Sequence, residues 1–416
     1  MGARARAERS AGVGEALESI ESFLTGLGFS AELVSAGSPE FPVHRCVLRD
    51  PQGRPVAESL GKGAGEQSRA SALFEAWQHL QHQRGQAALA ADPRRVRVLA
   101  ASTVVAQPQL RGEGMLHRLA ADYPDARLAC LRLEPMAQGA SELWYPAFAR
   151  SPVCRDHPIP GDDLEYEPYL RYAYDSGTAT GMSEPEALLH GLLEAVERDA
   201  LSHALLNWYV NDTYRPSGVD PADLPADISR LYEYATDRFG GPPLLIDMTS
   251  DLEIPAYCAL PPRARHPGVL GSGASLDAEY ALERALTEVV QSEFNMSLGV
   301  DRTLGNRLAY LRRWPLLERC ARADPAGLAD RLSRGGRLPG RAERTGEPGV
   351  RRRLAAVLER LERAGFTAYS FRWNPSGPGF PVVTVVVPGL DTFAMVHNAV
   401  PVLPTGRAAR LLAGAR

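Results

Sequence analysis

The chain has 416 residues, 44% apolar and 23% charged, with a formal net charge of −4. Such a balance describes a globular protein with a large buried core; it excludes a disordered chain and a generic polyanion binder, so no nucleic-acid partner is implied. No apolar run is long enough to span a bilayer, and the start (Met1 to Arg6) lacks the apolar stretch of a secretory signal, so the expected location is the cytoplasm, with no membrane partner.

In chain order, periodicity predicts an amphipathic helix over Val13–Leu27 and short strands at Ala31–Val34 and His44–Leu48, with a hairpin turn at Asp50-Pro51-Gln52-Gly53. Gly61-Lys62-Gly63 comes next. Lys62 is the only lysine among 46 basic residues. In a chain that writes arginine wherever a plain positive charge suffices, a compact ammonium between two glycines suits a phosphate better than a planar guanidinium does. A loop that kept one lysine by chance is the alternative.

A helix is expected from Glu66 to His82, then strands at Val96–Ala100, Ala126–Leu131 and Leu143–Ala147, and a polar loop over Ser151–Pro168. Two later segments share one plan of helix, strand, polar turn and proline-entered strand. The first is Ser229–Gly240, Leu244–Met248, Ile254-Pro255 and Ala256–Leu260; the second is Arg351–Gly365, Ala368–Trp373, Phe380-Pro381 and Val382–Val387. An internal duplication and the ordinary grammar of α/β proteins both account for it. Arg334–Val350, rich in Arg, Gly and Pro, is expected to be a surface loop. The five cysteines are odd in number and scattered, which supports neither a disulfide framework nor a zinc site and marks them as core thiols.

Three helices carry carboxylates on one face. Ser183-Glu184-Pro185-Glu186 is a capping-box start, and on the helix it opens Glu186, His190, Glu194, Glu197 and Arg198 advance by three or four residues. A second helix, from near Ser275, aligns Asp277, Arg284, Glu288 and Gln291; the Glu66–His82 helix aligns Ser68, Ser71, Glu75, Gln78 and His82. Were the stripes to converge, Glu75, Glu194, Glu197 and Glu288 would supply hard oxygen ligands for magnesium, with Lys62, Arg198 and Arg284 offsetting phosphate charge. Each stripe alone also reads as a solvated face with intrahelical ion pairs.

At these helices the sequence resembles the YcaO superfamily. The resemblance lies in Gly61-Lys62-Gly63 with Ala70-Ser71-Ala72-Leu73-x-Glu75, in Glu186-Ala187-Leu188-x-His190-Gly191-Leu192-x-Glu194-x-x-Glu197-Arg198-Asp199-Ala200, and in Arg284-Ala285-Leu286-Thr287-Glu288-x-x-Gln291. It continues through Ile254-Pro255, Phe380-Pro381-Val382 and Pro388-Gly389-Leu390, in order from about residue 60 to 391. It implies a single α/β domain of mixed, largely antiparallel sheets packed with helices around a central ATP site unrelated to the P-loop. Residues 61–416 would be the catalytic domain, and residues 1–60 a helix and hairpin segment that serves as a reduced docking element.

Carried over by position, Glu75, Glu194, Glu197 and Glu288 would hold Mg2+. Lys62, Ser71, Arg198 and Arg284 would contact phosphates, and Glu186 and His190 would lie towards the nucleoside. Two departures stand out. Gln78-His79 replaces a Glu-Arg pair usual in the family, so the ligand at Gln78 is neutral and a second magnesium weakly held. The ending Pro401-Val402-Leu403-Pro404-Thr405-Gly406 is followed by residues to Arg416 rather than forming the proline-alternating tail common in azoline-forming relatives.

The implied reaction is activation of a backbone amide in a ribosomally made precursor peptide. A nucleophile adds to the carbonyl, the oxyanion takes the γ-phosphoryl group of ATP, and phosphate leaves. A substrate Cys, Ser or Thr side chain gives an azoline, the preferred outcome; external sulfide gives a thioamide, and an amine gives an amidine. The catalytic residues are unassigned, with His79, His203 and His397 as proton-transfer candidates. A separate leader-binding or ubiquitin-activating-like partner is expected to present the peptide, and a homodimer is compatible with the sequence. An ATP-binding accessory protein for another enzyme's sulfur chemistry, or an idle scaffold, is the reading from a different class.

Overall fold

The structure, a computed structural model, describes residues 8–263, 268–297, 303–336, 349–375, 377 and 379–414. The chain opens with α1 (Val13–Gly26), β1 (Ser30–Gly37), β2 (Pro42–Arg49), β3 (Pro55–Gly61) and the long α2 (Glu66–Ala88). Next come β4 (Val96–Ala100), α3 (Ala101–Val105), α4 (Gly114–Asp122), β5 (Arg127–Pro135), β6 (Leu143–Pro146), β7 (Thr178–Thr180) and α5 (Glu184–Tyr209). The middle holds β8 (Ser217–Val219), α6 (Ala226–Phe239), β9 (Leu244–Asp247), β10 (Ala256–Leu260), β11 (Gly271–Ala274) and α7 (Ala278–Ser297). Helices α8 (Leu304–Leu311), α9 (Pro315–Arg322) and α10 (Ala326–Ala329) lead to β12 (Ser333–Gly336), α11 (Val350–Arg363), β13 (Tyr369–Arg372), β14 (Val382–Val386) and α12 (Gly406–Gly414).

The periodic segments form where hydrophobic spacing predicts them, with shifted ends. One expectation is corrected: residues 334–336, read as loop, are strand, because β12 pairs in parallel with β8 and takes up its free edge. Residues 337–348 of that expected loop lie outside the described residues. All five cysteines are free, and burial pushes Cys46 up to about 11 and Cys320 up to about 12, so neither is thiolate at neutral pH.

Three sheets follow, ordered β1-β2-β3, β11-β10-β9-β8-β12, and β4-β5-β13-β14-β7 with β6 on β5. Apart from β8 with β12, the neighbours are antiparallel. The shared helix–strand–strand plan occurs three times, not two. In the first unit α1 precedes β1-β2-β3 and α2 follows; in the second α6 precedes β9-β10-β11 and α7 follows. The third is assembled from distant sequence: α11, β13 and β14 supply the first part, and β7 with α5 closes it. In every unit the helix after the third strand is one of the three carboxylate helices.

Glycine lets strand and helix approach at each crossing. A Cβ on Gly61 of β3 would run into Ser68 O and Ala72 N of α2, and one on Gly271 of β11 into Ala285 O and Val289 N of α7. In the third unit the glycine is on the helix: a Cβ on Gly191 of α5 would sit 2.5 Å from Gly177 O. Backbone atoms cannot step aside as a flexible side chain can. Gly271→Ala is therefore expected to cost about 3 kcal/mol or more, whereas Gly305→Ala on α8, with open space around it, should be neutral or stabilising. Chemical denaturation of the two variants checks this.

Helix α1 and strand β2 share a core with α2 and β13. Leu17, Ile20 and Leu24 of α1 and Cys46 and Leu48 of β2 share one apolar cluster with Leu73 and Trp77 of α2 and with Phe371 and Trp373. Helix α5 lies centrally: Leu189, Leu192 and Val196 pack with Val357 and Leu361 of α11, while its C-terminal half packs under α8 and α9.

Candidate active site

Helix α5 is started by Ser183, whose Oγ accepts the Glu186 amide at 3.4 Å. One turn before Glu194, Gly191 allows the close approach to the β7 segment, and Glu197 then reaches β11. Glu197 is almost fully buried: Ser272 Oγ donates to Oε1 (2.7 Å), while the Ala274 amide and Arg284 Nη2 both donate to Oε2 (3.2 Å each). Arg198 Nη2 lies 3.7 Å from Glu197 Oε1, and its Nε lies 3.9 Å from Glu194 Oε1.

From α7, Glu288 Oε1 accepts from Ser272 Oγ at 3.4 Å, and Glu288 Oε2 forms an ion pair with Lys62 Nζ. Gln291 Nε2 donates to Leu60 O at 2.6 Å, which ties α7 to the end of β3 and so positions the lysine. Glu75, on α2, keeps 41% of its side chain accessible; His79 Nε2 lies 3.9 Å from its Oε1.

The charges are unevenly balanced. Burial acts to raise Glu288, but Lys62, Arg198 and Arg284 outweigh it and hold the carboxyl at about 2. Glu194 is pushed up to about 7 by burial, with Glu197 and Asp175 adding to the rise against the pull of Arg198. Glu75, still open to solvent, lies within electrostatic reach of the acidic Asp175 and Glu288 as well as of His79 and Lys62. The protein's own cations thus neutralise Glu288 well and leave Glu75 and Glu194 under-neutralised. In the same region Arg198 Nε and Arg284 Nε are buried donors with no hydrogen-bond partner among the described residues.

The ends of two stripes serve the fold instead. Ser68 Oγ bonds Gly61 O (3.0 Å) and His44, His82 stacks on Trp373 with centroids 4.2 Å apart, and Asp277 Oδ1 accepts the Glu279 and Tyr280 amides at the start of α7. Ser71 and Gln78 lie half-buried on α2, four residues before and three after Glu75. Glu186 receives Arg9 Nη1 on Oε1 (3.2 Å) and the Ser10 amide on Oε2 (3.0 Å). His190 shares a small cavity with Glu8, Arg9, Leu189, Tyr280 and Arg284; burial first, then Arg284 and Arg9, hold it well below the usual histidine range.

Of the three histidine candidates, His79 Nδ1 lies 2.7 Å from Glu58 O. His203 belongs to a separate cluster with Asp199 and Asp391. That cluster is taken up by α12: Asp391 accepts the Thr405 and Ala408 amides, and Arg407 Nη1 lies 3.5 Å from Asp199 Oδ2. His397 Nδ1 is 2.6 Å from Ala394 O, and a carbonyl only accepts, so Nδ1 carries the proton and Nε2 keeps its lone pair. Burial and then Arg198 push His397 down to about 4, so it is neutral at pH 7.

Sequence reasoning missed Ser272, the Ala274 amide, Asp175 and the stretch Glu8–Ser10. The run Gly271-Ser272-Gly273-Ala274 before α7 was a usable sign of close backbone approach; nothing local marks the others.

The family described as YcaO cyclodehydratase, ATP- and Mg2+-binding, matches residues 60–391, and the chain belongs to it. Among solved structures, YcaO from Methanopyrus kandleri bound with AMPPCP and Mg2+ superposes with a TM-score of 0.63 at 20% identity, covering 95% of this chain and 96% of that one. A heterocyclase in complex with substrate and cofactor gives 0.63 at 19% identity, covering 92% of this chain and 53% of that one. These likenesses are of fold. In sequence, an uncharacterized protein of Methanothermobacter thermautotrophicus is 28% identical over 229 residues, 53% of this chain and 56% of its own length. An uncharacterized protein in the tfuA 3′ region of Rhizobium leguminosarum bv. trifolii is 31% identical over 227 residues, 52% of each. The chain thus spans about half the length of the curated relatives it matches. No helix among the described residues is long and apolar enough to cross a membrane.

Proposed function

We propose that the chain binds Mg-ATP between α2, α5 and α7 and uses it to activate backbone amides of a ribosomally made peptide, forming azolines by cyclodehydration of Cys, Ser or Thr. The observation that carries this reading is the pairing of under-neutralised carboxylates with unpartnered arginine donors: Glu75 and Glu194 call for a cation, and Arg198 and Arg284 for an anion. Magnesium triphosphate is a ligand that answers both. The donor set fits it, with Glu75, Glu194, Glu197 and Glu288 as oxygen ligands, Lys62, Ser71, Arg198 and Arg284 towards phosphates, and Glu186 and His190 towards the nucleoside. Asp175, which acts on both Glu75 and Glu194, adds a carboxylate where Gln78 brings only a neutral amide.

Bound ATP supplies a phosphoryl group that turns the amide oxygen into a leaving group. This chain's residues hold the reactants: Lys62 and Arg198 balance charge, Glu197 fixes the two arginines, and neutral His397 offers the Nε2 lone pair as a hydrogen-bond acceptor. The inert cysteines agree with a nucleophile that comes from the substrate. A partner protein presenting the peptide is supported by the E. coli microcin synthetase McbBCD complex with pro-MccB17 bound, similar in fold at a TM-score of 0.54 and 14% identity, covering 88% of each chain. The outer edge of β1, with no strand beside it among the described residues, is the surface by which the N-terminal segment would dock such a partner.

Mass spectrometry of a candidate precursor peptide incubated with the protein, its partner, ATP and magnesium tests the reading. A loss of about 18 Da per ring is expected; a gain of about 16 Da identifies thioamide formation instead. Steady ATP hydrolysis without peptide, leaving peptide mass unchanged, supports the accessory role and overturns the proposal.

A further inference from the structure

Glu8, Arg9 and Ser10 come from the far end of the chain, yet they sit against the starts of α5, α7 and α11. Ser275 Oγ donates to Glu8 Oε1, and Arg353 Nη1 lies 3.8 Å from the same oxygen. Arg9 bridges to Glu186, with Tyr280 the stronger influence in keeping its guanidinium charged against burial. Ser10 holds on through its amide to Glu186 and through a 2.6 Å hydroxyl contact to Ser183 Oγ. The groups follow the order of a nucleotide. The Glu8 carboxyl, which burial raises and Ser275 and Arg284 pull back down, lies within electrostatic reach of Arg284, and a flat, hydrogen-bonding guanidinium lies on Glu186 beside His190.

With these residues in place, the space left at His190 and Arg284 is a cavity of about 10 Å³, room for about one water molecule. A small-molecule site needs roughly 300 Å³ or more. We propose that Glu8–Ser10 is an internal stand-in for the nucleotide, a strap that Mg-ATP must displace from Glu186, His190 and Arg284 in order to bind. The inference rests on reading Glu186 and His190 as facing the nucleoside. The strap has somewhere to go. Outside it, an open groove of about 510 Å³ runs between the first turns of α5 and α11, lined by Arg9, Ser10, Ser183, Pro185, Arg351 and Arg352 among others. Moving outward breaks a handful of polar contacts and leaves both helices intact.

Occupied by its own chain, the site is competent only in the fraction of molecules whose strap is out, so the apparent affinity for nucleotide is reduced by that fraction. The test is titration of Mg-ATP into the full chain and into the double variant Glu8→Ala/Arg9→Ala by calorimetry, with hydrogen exchange read over residues 8–12. The double variant is expected to bind about tenfold more tightly, and Mg-ATP is expected to speed exchange at residues 8–12 in the unaltered chain. Equal or weaker binding by the variant, or exchange at residues 8–12 that stays the same or slows with nucleotide, overturns the strap while leaving the nucleotide site standing. Failure of both chains to bind Mg-ATP removes the site reading and the strap with it.

Discussion

Glu288→Gln is expected to leave the protein folded and to lower ATP-dependent turnover by about a hundredfold or more. The substitution keeps the size of the side chain and the oxygen that accepts from Ser272, so packing on β11 is preserved. What it removes is the negative charge that pairs with Lys62 and that three cations hold ionised at about 2. A carboxylate ionised under nearly all conditions is a dependable oxygen ligand, and an amide is a far weaker one for a hard dication. Phosphate release in the presence of peptide, beside far-UV circular dichroism and a denaturation curve, separates chemistry from folding. Near-normal turnover would take Glu288 out of the site.

Glu197→Ala is expected to act on stability instead, costing about 3–5 kcal/mol. Its carboxylate is 1% exposed and receives Ser272 Oγ, the Ala274 amide and Arg284, with Arg198 close by. Truncation strands two buried guanidiniums, each already short of a partner at Nε, together with a buried backbone donor. The methyl group left behind satisfies none of them. Urea denaturation of Glu197→Ala beside Glu288→Gln should show a large midpoint shift for the first and a small one for the second; equal shifts would mean that Glu197 does not organise the arginines. The contrast matters because sequence position gives both residues one role, while their surroundings differ: Glu197 is tied into the protein by three donors and is 1% exposed, whereas Glu288 pairs with Lys62, takes only a long contact from Ser272 Oγ and is 14% exposed.

Much of this was legible beforehand because helical spacing is a local property. Three-and-four spacing put Glu186, His190, Glu194 and Glu197 on one face of α5 without reference to anything outside the helix, and Ser183 announced where that helix begins. The lone lysine between two glycines was visible from composition. The consecutive parts of two units were legible as well, α6, β9 and β10 in one and α11, β13 and β14 in the other, whereas the closing of the latter by β7 and α5, which lie far upstream in the chain, was not.

By itself, then, the sequence determined which helices form, which faces carry charge, and through its ordered motifs the family to which the chain belongs. Tertiary structure alone decided which of those charges meet. Arg9 and Glu186 are 177 residues apart and Lys62 and Glu288 226 apart, and no local pattern encodes such pairings. They follow from sheets that bring α2, α5 and α7 together, from glycines that let strand and helix touch, and from the cost of burying a charge unpaired, which is settled only when distant segments arrive at the same place.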